Sequence, residues 1–312
     1  MEINNELFER IPNDQKKINE IVRPSETYFQ DAWRRLKENK LAMGGLVFVI
    51  FISILAIVGP MVSQYNYYSQ DFMIANQNPS SAHWFGTDKF GRDMFIRVLY
   101  GARISLTIAY VASILNLVIG ILYGSISGYA GGLVDNIMMR IVDIIWSVPS
   151  MIYVILLMVI LNPPDHPSED GGMTSIIIAL AISFWVTMAR IVRSQVMALK
   201  EQEFVLAARI SGASSMRIIL KHLIPNSMGP IIVTMTMSVP LAIFTEAFLS
   251  FIGLGISAPR ASWGSLASEA LDGYQLYPLQ LFFPAMAICV TILAFNFLGD
   301  GLRDALDPKM RK

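Results

Sequence analysis

The segment LAMGGLVFVIFISILAIVGPMV, residues 41–62, contains no charged side chain. About 20 consecutive apolar residues form a helix long enough to cross the hydrocarbon core of a bilayer. Apolar residues make up 54% of the whole chain and charged residues 15%, whereas roughly 25% of residues are charged in an ordinary soluble domain. Because this run follows the polar segment 1–40 and is too long for a signal-peptide core, it predicts a retained membrane anchor.

Five more apolar runs follow, so the sequence predicts an all-α polytopic membrane protein with six transmembrane helices. It also predicts an N-terminal segment 1–40, an extracellular loop 63–103, a five-helix core 104–298 and a tail 299–312. The predicted spans are 41–62, 104–124, 144–161, 173–189, 231–252 and 279–298.

The basic residues predict the orientation of these spans. With the N-terminus in the cytoplasm, the cytoplasmic segments contain 19 of the 24 Lys and Arg residues, and the extracellular segments contain the other five. Cytoplasmic loops carry an excess of Lys and Arg in membrane proteins. Both termini are therefore predicted to be cytoplasmic.

Two polar segments flank the first span. Within 26–40, Phe29, Trp33 and Leu36 recur at helical spacing among basic residues, which predicts a short helix at the cytoplasmic membrane surface; a solvated helix is the alternative. The extracellular loop contains FGTD at 85–88 and GRD at 91–93, where turn-forming residues are dense. Two roles fit this part of the loop, docking of a partner or ordering of the loop itself. The residues concerned are Phe85, Gly86, Asp88, Arg92 and Asp93.

Several kinds of chemistry have no sequence support. The chain has no G-x-x-x-x-G-K-[ST] phosphate loop, no HExxH pair and no GxSxG turn, so we predict no ATP hydrolysis, no metal site and no catalytic residue in this chain. Its three histidines are far apart, and Cys289 is its only cysteine, which excludes an internal disulfide. The formal net charge is zero, which offers no attraction for nucleic acid.

Glu246 is the clearest ionisable residue inside a predicted span. A carboxylate at mid-bilayer costs roughly 2.5–3.5 kcal/mol on insertion scales, so it must face protein, water or a hydrogen-bonding partner. It is either a polar tie between helices or subunits, or a group that lines or gates a pathway. Trp146, Trp185 and Trp263 are expected to have packing or interface roles.

The cytoplasmic segment between the fourth and fifth spans is the most informative. The residues from Glu203 to Ser211 favour a helix, and Gly212 can end it in the left-handed conformation. A second short helix is expected to follow and to stop at Pro225. The two short helices with the glycine between them would form a compact knob, residues 203–225, at the membrane surface. Small residues in and after the first helix would let another protein approach this knob closely.

This segment resembles the EAA loop of ABC-importer permeases, within about 196–226. Ala207, Ala208, Gly212 and Pro225 match that pattern, while Leu206, His222 and Ile224 stand where the general motif has glutamate, isoleucine and leucine. In that family the loop is the coupling helix that enters a cleft of an ATPase subunit. The resemblance therefore implies a coupling role for Glu203, Ala207, Ala208, Arg209, Gly212, Ala213, Ser214 and Pro225.

Nearly the whole chain is similar to the C-type permeases of oligopeptide and dipeptide importers. Ordered matches run from the outer loop to the end of the sixth span. They are FGTD and GRD in 85–93, YGARISL at 100–106, GYAGG at 128–132, TEAFLSF at 245–251, ASWG at 261–264 and GDGLRDALDP at 299–308.

This resemblance implies a type I ABC importer permease fold in a bacterial cytoplasmic membrane. It also implies partners: a second related permease, two cytoplasmic ATPases that bind ATP and Mg²⁺, and an extracellular peptide-binding protein. Oligopeptide uptake by alternating access is the expected function. The alternatives are a related importer of dipeptides or nickel chelates, and an autonomous secondary carrier, which would show charged spans and inverted repeats.

Overall fold

The computed structural model describes residues 27–163, 168 and 170–307, and its regular secondary structure is helical throughout these ranges. The predictions for residues 1–26, for His166 and for the tail beyond 307 lie outside the described residues. Short 3₁₀ turns occupy Phe72–Ile74 and Leu271–Gly273. The helices are α1 Tyr28–Glu38, α2 Lys40–Val62, α3 Met94–Ala130, α4 Gly132–Ser147, α5 Ser150–Leu161, α6 Met173–Leu199, α7 Glu203–Ile210, α8 Ser215–Ile218, α9 Ile224–Asn226, α10 Met228–Phe251, α11 Trp263–Ala270 and α12 Pro278–Leu306, with a π-helical turn at Ile219–Leu223 between α8 and α9.

Five of the described helices, α2, α3, α6, α10 and α12, are long and apolar enough to cross a membrane. The pair α4 and α5 makes a sixth if it is counted as one broken span. This agrees with the predicted all-α membrane fold of six spans.

The third predicted span, 144–161, is not one straight helix. The chain bends by 86° between α4 and α5. Val148 adopts an extended conformation before Pro149, as expected because a proline ring disfavours helical geometry in the residue before it. The 12 residues of α5 reach only about 18 Å at 1.5 Å per residue, less than the core of a bilayer.

Two helices also extend beyond the predicted spans. The helix α3 begins at Met94, ten residues before the predicted start, because the side chain of Asp93 caps it by accepting a 2.8 Å hydrogen bond from the backbone N–H of Ile96. The last quarter of the predicted loop 63–103 is therefore helical. The helix α12 likewise continues to Leu306, through most of the segment predicted as a tail.

The α3–α6 pair forms the centre of the bundle, and glycines make its seam. Gly120, Gly124 and Gly128 lie on one face of α3 at intervals of four residues. A Cβ atom on Gly124 would lie 2.3 Å from the carbonyl oxygen of Ala189 on α6, and one on Gly128 would lie 2.8 Å from that of Arg193. Small residues at this spacing let two helices approach closely in a membrane.

The predicted surface helix exists as α1. Phe29 and Trp33 are exposed, as expected for a helix on a membrane surface. Leu36 does not share this surface, because it is buried against Ala42 of α2 and Ala305 at the end of α12. Thus α1 is anchored to the knob-side end of α12.

Candidate functional site

The knob between α6 and α10 has the predicted helix–turn–helix form. The helix α7 ends at Ile210, and Gly212 follows with a φ of +79°. The backbone N–H groups of Gly212 and Ala213 donate 3.0 Å hydrogen bonds to the carbonyls of Arg209 and Ala208. These bonds satisfy carbonyls at the helix end, as in a left-handed C-terminal cap. Ser214 then caps α8 by accepting from Arg217 N–H at 3.4 Å.

A single buried side chain of α7 fastens the knob to the bundle. Val205 is fully buried and packs in a cluster with Val192 and Val196 of α6 and with Ile218 and Leu223 after the turn. Because α6 is also a central helix of the bundle, this cluster joins the knob to the centre of the bundle.

The outer face of the knob is exposed and partly apolar. Ile210 is 79% exposed, and Leu206, Met216 and Leu220 are each more than half exposed. Among the predicted coupling residues, Glu203, Ala207, Arg209, Gly212 and Ser214 are exposed, whereas Ala208 and Ala213 are half-buried. The exposed apolar side chains were not among the predicted coupling residues. Leu206 and Ile210 lie four residues apart on α7, and this helical spacing could have identified them from the sequence as one exposed face.

The prediction that Pro225 stops the second helix was wrong. Helical structure continues from Ser215 past Pro225 and, after a turn at Ser227, into α10. The π-type turn at Ile219–Leu223 changes the hydrogen-bonding register just before the proline, which suits a residue that has no N–H to donate. The knob is therefore directly joined to α10.

Ion pairs between largely buried side chains connect the outer loop to α3 and α11. The carboxylate of Asp88 accepts hydrogen bonds from the side chains of Arg92 and Arg97, both at 2.6 Å. Both arginines also bind Glu269 on α11, at 2.8 and 2.9 Å. Burial raises the pKa of the Glu269 carboxyl, but the hydrogen bonds and charges of Arg97 and Arg92 outweigh this effect and leave the pKa below its usual value.

The remaining predicted docking residues belong to the same loop structure. Asp93 caps α3 and also binds His83 Nδ1 at 2.8 Å. Phe85 stacks on Phe283 of α12 with ring centroids 3.8 Å apart. Gly86 has a φ of +75°, and a Cβ there would lie 2.3 Å from the carbonyl oxygen of Gln77. These contacts order the loop, and docking of a partner by these residues stays a prediction.

Glu246 is fully buried among hydroxyl groups. It accepts 2.8 Å hydrogen bonds from Ser105 of α3 and Ser250 of α10. The Ser105 hydroxyl accepts a hydrogen bond from Trp263 N–H, at 3.2 Å. In this conformation Glu246 ties α3, α10 and α11 together and lies outside the cavity described below.

The three tryptophans have different surroundings. Trp263 is fully buried, and its indole N–H donates a 3.0 Å hydrogen bond to the carbonyl of Val98. Trp185 packs edge-on against Tyr123, while Trp146 is exposed with the guanidinium of Arg190 over its ring. Trp263 and Trp185 thus have packing roles, as expected.

A cavity of about 530 Å³ lies between α3, α6, α10 and α12. It extends from Asn116 and Leu241 to the knob-side ends of α10 and α12, at Gly229 and Arg303. Its wall is mostly apolar, with a few polar side chains. The polar residues that line it are Asn116, Thr187, Gln195, Thr234, Ser238, Arg303 and Asp307. Sequence reasoning missed this set because it searched the spans for charges and overlooked neutral amides.

Within the described ranges, no three His, Cys, Asp or Glu residues group closely enough to hold a metal ion.

Two family models match this chain. Residues 120–312 match the family model "Binding-protein-dependent transport system inner membrane component". Residues 27–79 match the model "N-terminal TM domain of oligopeptide transport permease C".

Curated relatives match nearly the whole chain. It is 51% identical to the "Oligopeptide transport system permease protein OppC" of Bacillus subtilis, over 98% of each chain. It is 50% identical to the "Dipeptide transport system permease protein DppC" of the same organism, over 95% of this chain and 91% of the relative. The OppC protein of Escherichia coli K12 is 40% identical, over 91% of this chain and 92% of the relative.

A solved structure shares the fold. It is described as inward-facing conformations of the MetNI methionine ABC transporter. The similarity has a TM-score of 0.52 at 19% identity and covers 69% of this chain and 98% of that one. The chain therefore has the fold of a type I ABC importer permease.

Proposed function

The chain belongs to the family of binding-protein-dependent transport system inner membrane components, and from this premise we propose that it is a permease subunit of an ATP-driven oligopeptide importer. It is a multi-pass protein of the bacterial cytoplasmic membrane. Its proposed cargo follows the relative that is 51% identical. Dipeptides are the nearest alternative, since a dipeptide permease is 50% identical.

The knob is the observation that carries the proposal. Five large apolar side chains lie exposed on it, Phe204 among them, on the side of the bundle where the predicted cytoplasmic segments meet. Exposed apolar side chains grouped on one surface commonly mark a protein-binding site. We propose that an ATPase subunit covers this surface, and that ATP and Mg²⁺ bind to that partner and not to this chain.

Transport then needs no covalent chemistry in this chain. Closure of the two ATPases on ATP moves the knob, and Val205 passes the motion to α6. The direct connection of the knob to α10 moves a second wall of the cavity. Rigid-body movement of packed helices against a second permease then switches access from one side to the other. A peptide-binding protein delivers the cargo from outside.

Gly212 offers a sharp test of the coupling role. Gly212→Val has free space around its Cβ, but a β-branched residue at positive φ is strained. We expect Gly212→Val to lower co-purification of the ATPases and peptide uptake while membrane insertion persists. Gly212→Asn is the matched control, because asparagine tolerates the left-handed conformation. Equal, normal uptake by both variants would contradict the assignment.

The cargo is tested on the purified complex. The tagged chain should recover a second permease and two ATPases, whose ATP hydrolysis rises with a binding protein loaded with alanine tripeptide. A response to dialanine or to a nickel chelate alone would reassign the cargo within the family. Recovery of the chain alone, still transporting without ATP, would indicate a secondary carrier.

A further inference from the structure

The side-chain amide of Asn116 is buried in the bundle but, unlike most buried polar groups, it is not hydrogen-bonded within the described part of the chain. Neither its oxygen nor its nitrogen has a hydrogen-bond partner among the described residues, and the residue is only 3% exposed. One turn away on α3, the hydroxyl of Ser113 accepts a 2.9 Å hydrogen bond from Ser238. A buried polar group without a partner costs free energy, and native proteins contain few of them. The donor and the acceptor of this amide are therefore not used by any described residue of the chain.

The position of Asn116 indicates where a partner for this amide would lie. The residue lines the cavity, whose volume of about 530 Å³ lies within the range of ligand pockets, roughly 300–1,000 Å³. Along α3, Asn116 lies 11 residues beyond Ser105, or about 16 Å at 1.5 Å per residue. The Glu246 cluster thus lies on the outer side of Asn116, and the cavity extends from Asn116 toward the knob.

We propose that this cavity is the part of the translocation pathway contributed by this chain, and that Asn116 binds the main chain of the passing peptide. A peptide bond carries one N–H donor and one carbonyl acceptor, and an asparagine amide carries the complementary pair. Such recognition is independent of the peptide's side chains. The inference rests on the proposed function and deepens it by naming a contact for the cargo.

The rest of the wall suits cargo of varied sequence. Met188 and Met237 line the cavity together with Phe184 and Val233. Methionine side chains are flexible and polarizable, and they adapt to surfaces of different shape. One main-chain contact within an adaptable apolar wall gives weak, general binding, which a transport pathway needs if the cargo is to leave again.

The test compares variants in the complete complex reconstituted in proteoliposomes, with alanine tripeptide delivered by the binding protein. Asn116→Leu removes the amide at similar volume, and we expect uptake below saturation to fall about tenfold, the effect of losing one hydrogen bond to a buried group. Asn116→Gln retains donor and acceptor and should retain more uptake. Thr236→Val is the matched control, because that hydroxyl bonds only to the Ile232 carbonyl of its own helix and lies outside the cavity.

Two further measurements separate ligand binding from a structural role. Asn116→Leu should leave the melting temperature unchanged or raised, because it removes an unpaired buried group, and it should leave recovery of the second permease unchanged. Loss of that permease would overturn the proposal in favour of a contact between subunits. Uptake equal to that of Thr236→Val would overturn it outright. Absence of ATP-dependent uptake by the unaltered complex would refute the proposed function itself, and this inference with it.

Discussion

The outer loop and the knob are both connections between spans, yet different interactions fix them to the bundle. Next to the outer loop, in the first turn of α3, Arg97 is buried, and its guanidinium is bound by two carboxylates, those of Asp88 and Glu269. On the knob Ile210 and Leu206 extend into the surroundings without cover. Charge pairs within this chain therefore fix the outer loop, whereas the apolar surface of the knob has no cover among the described residues, and we propose that a partner covers it.

This difference predicts opposite responses to substitution. A paired buried charge is sensitive because removal of one partner leaves the other charge uncompensated. An exposed apolar side chain contributes little to the folding of its own chain, whatever it contributes to binding. Changes on the outer side should therefore alter stability, and changes on the knob surface should alter assembly.

The largest effect is expected from Arg97→Leu. This change leaves Arg92 as the one remaining cation that binds both Asp88 and Glu269, and breaking a buried ion pair in this way should cost up to about 3–5 kcal/mol. Thermal unfolding in detergent measures the loss. Lys89→Ala is the control, because Lys89 and Asp272 form an exposed pair at 3.3 Å worth about 1 kcal/mol or less. Equal losses in the two variants would contradict the buried network.

A smaller effect is expected from Gly124→Ala, in the seam that joins the two regions. The helix α3 begins at the outer network, and α6 ends at the knob. The new Cβ would lie 2.3 Å from the Ala189 carbonyl oxygen, and such overpacking costs about 1–3 kcal/mol. Gly44→Ala is the matched control, since nothing lies within 4 Å of its Cβ. If both variants melt alike, the close approach of α3 and α6 is wrong.

The stability of the outer side should also depend on pH. Because the pKa of Glu269 is lower in the folded chain than its ordinary value of 4.5, the unfolded chain takes up a proton first as pH falls. Glu269 therefore contributes stability above about pH 4.5, and this contribution decreases as the pH falls below that value. Melting temperatures between pH 7 and pH 3 measure it. Glu269→Gln should lower the melting temperature at neutral pH and flatten the profile, and an unflattened profile would assign the titration elsewhere.

The same contrast explains which parts of the molecule could be predicted from sequence. The first span was predicted to within one residue, and the left-handed turn at Gly212 was also correct, because apolar runs and glycine act locally. The start of α3 was missed because a charged residue such as Arg97 was assigned to the polar loop. Its burial in a helix depends on Glu269, which lies 172 residues away in the sequence. Pro149 marked the bend after α4, but the length of the apolar run concealed it.

The polar lining of the cavity was also not predicted from the sequence. In the sequence Asn116 is one neutral residue in an apolar run. It becomes a candidate for binding only because no described residue lies within hydrogen-bonding distance of its amide. Such an absence is a property of the packed bundle. A search of spans for asparagine and glutamine, as well as for charges, would have raised the residue as a candidate.

The smallest effect on stability is expected at Ile210, and it is the most informative about the knob. Val205→Ala and Ile210→Ala shorten two aliphatic side chains on the same helix, one fully buried and one 79% exposed. Val205→Ala should cost about 1–3 kcal/mol through the cavity that it leaves, whereas Ile210→Ala should change stability by no more than about 0.5 kcal/mol. Recovery of the ATPases should nevertheless fall with Ile210→Ala, because the lost surface belongs to the interface. A stable Ile210→Ala variant that still binds the ATPases normally would mean that lipid or another segment covers this face. The proposed dependence of the knob on an ATPase partner would then be wrong.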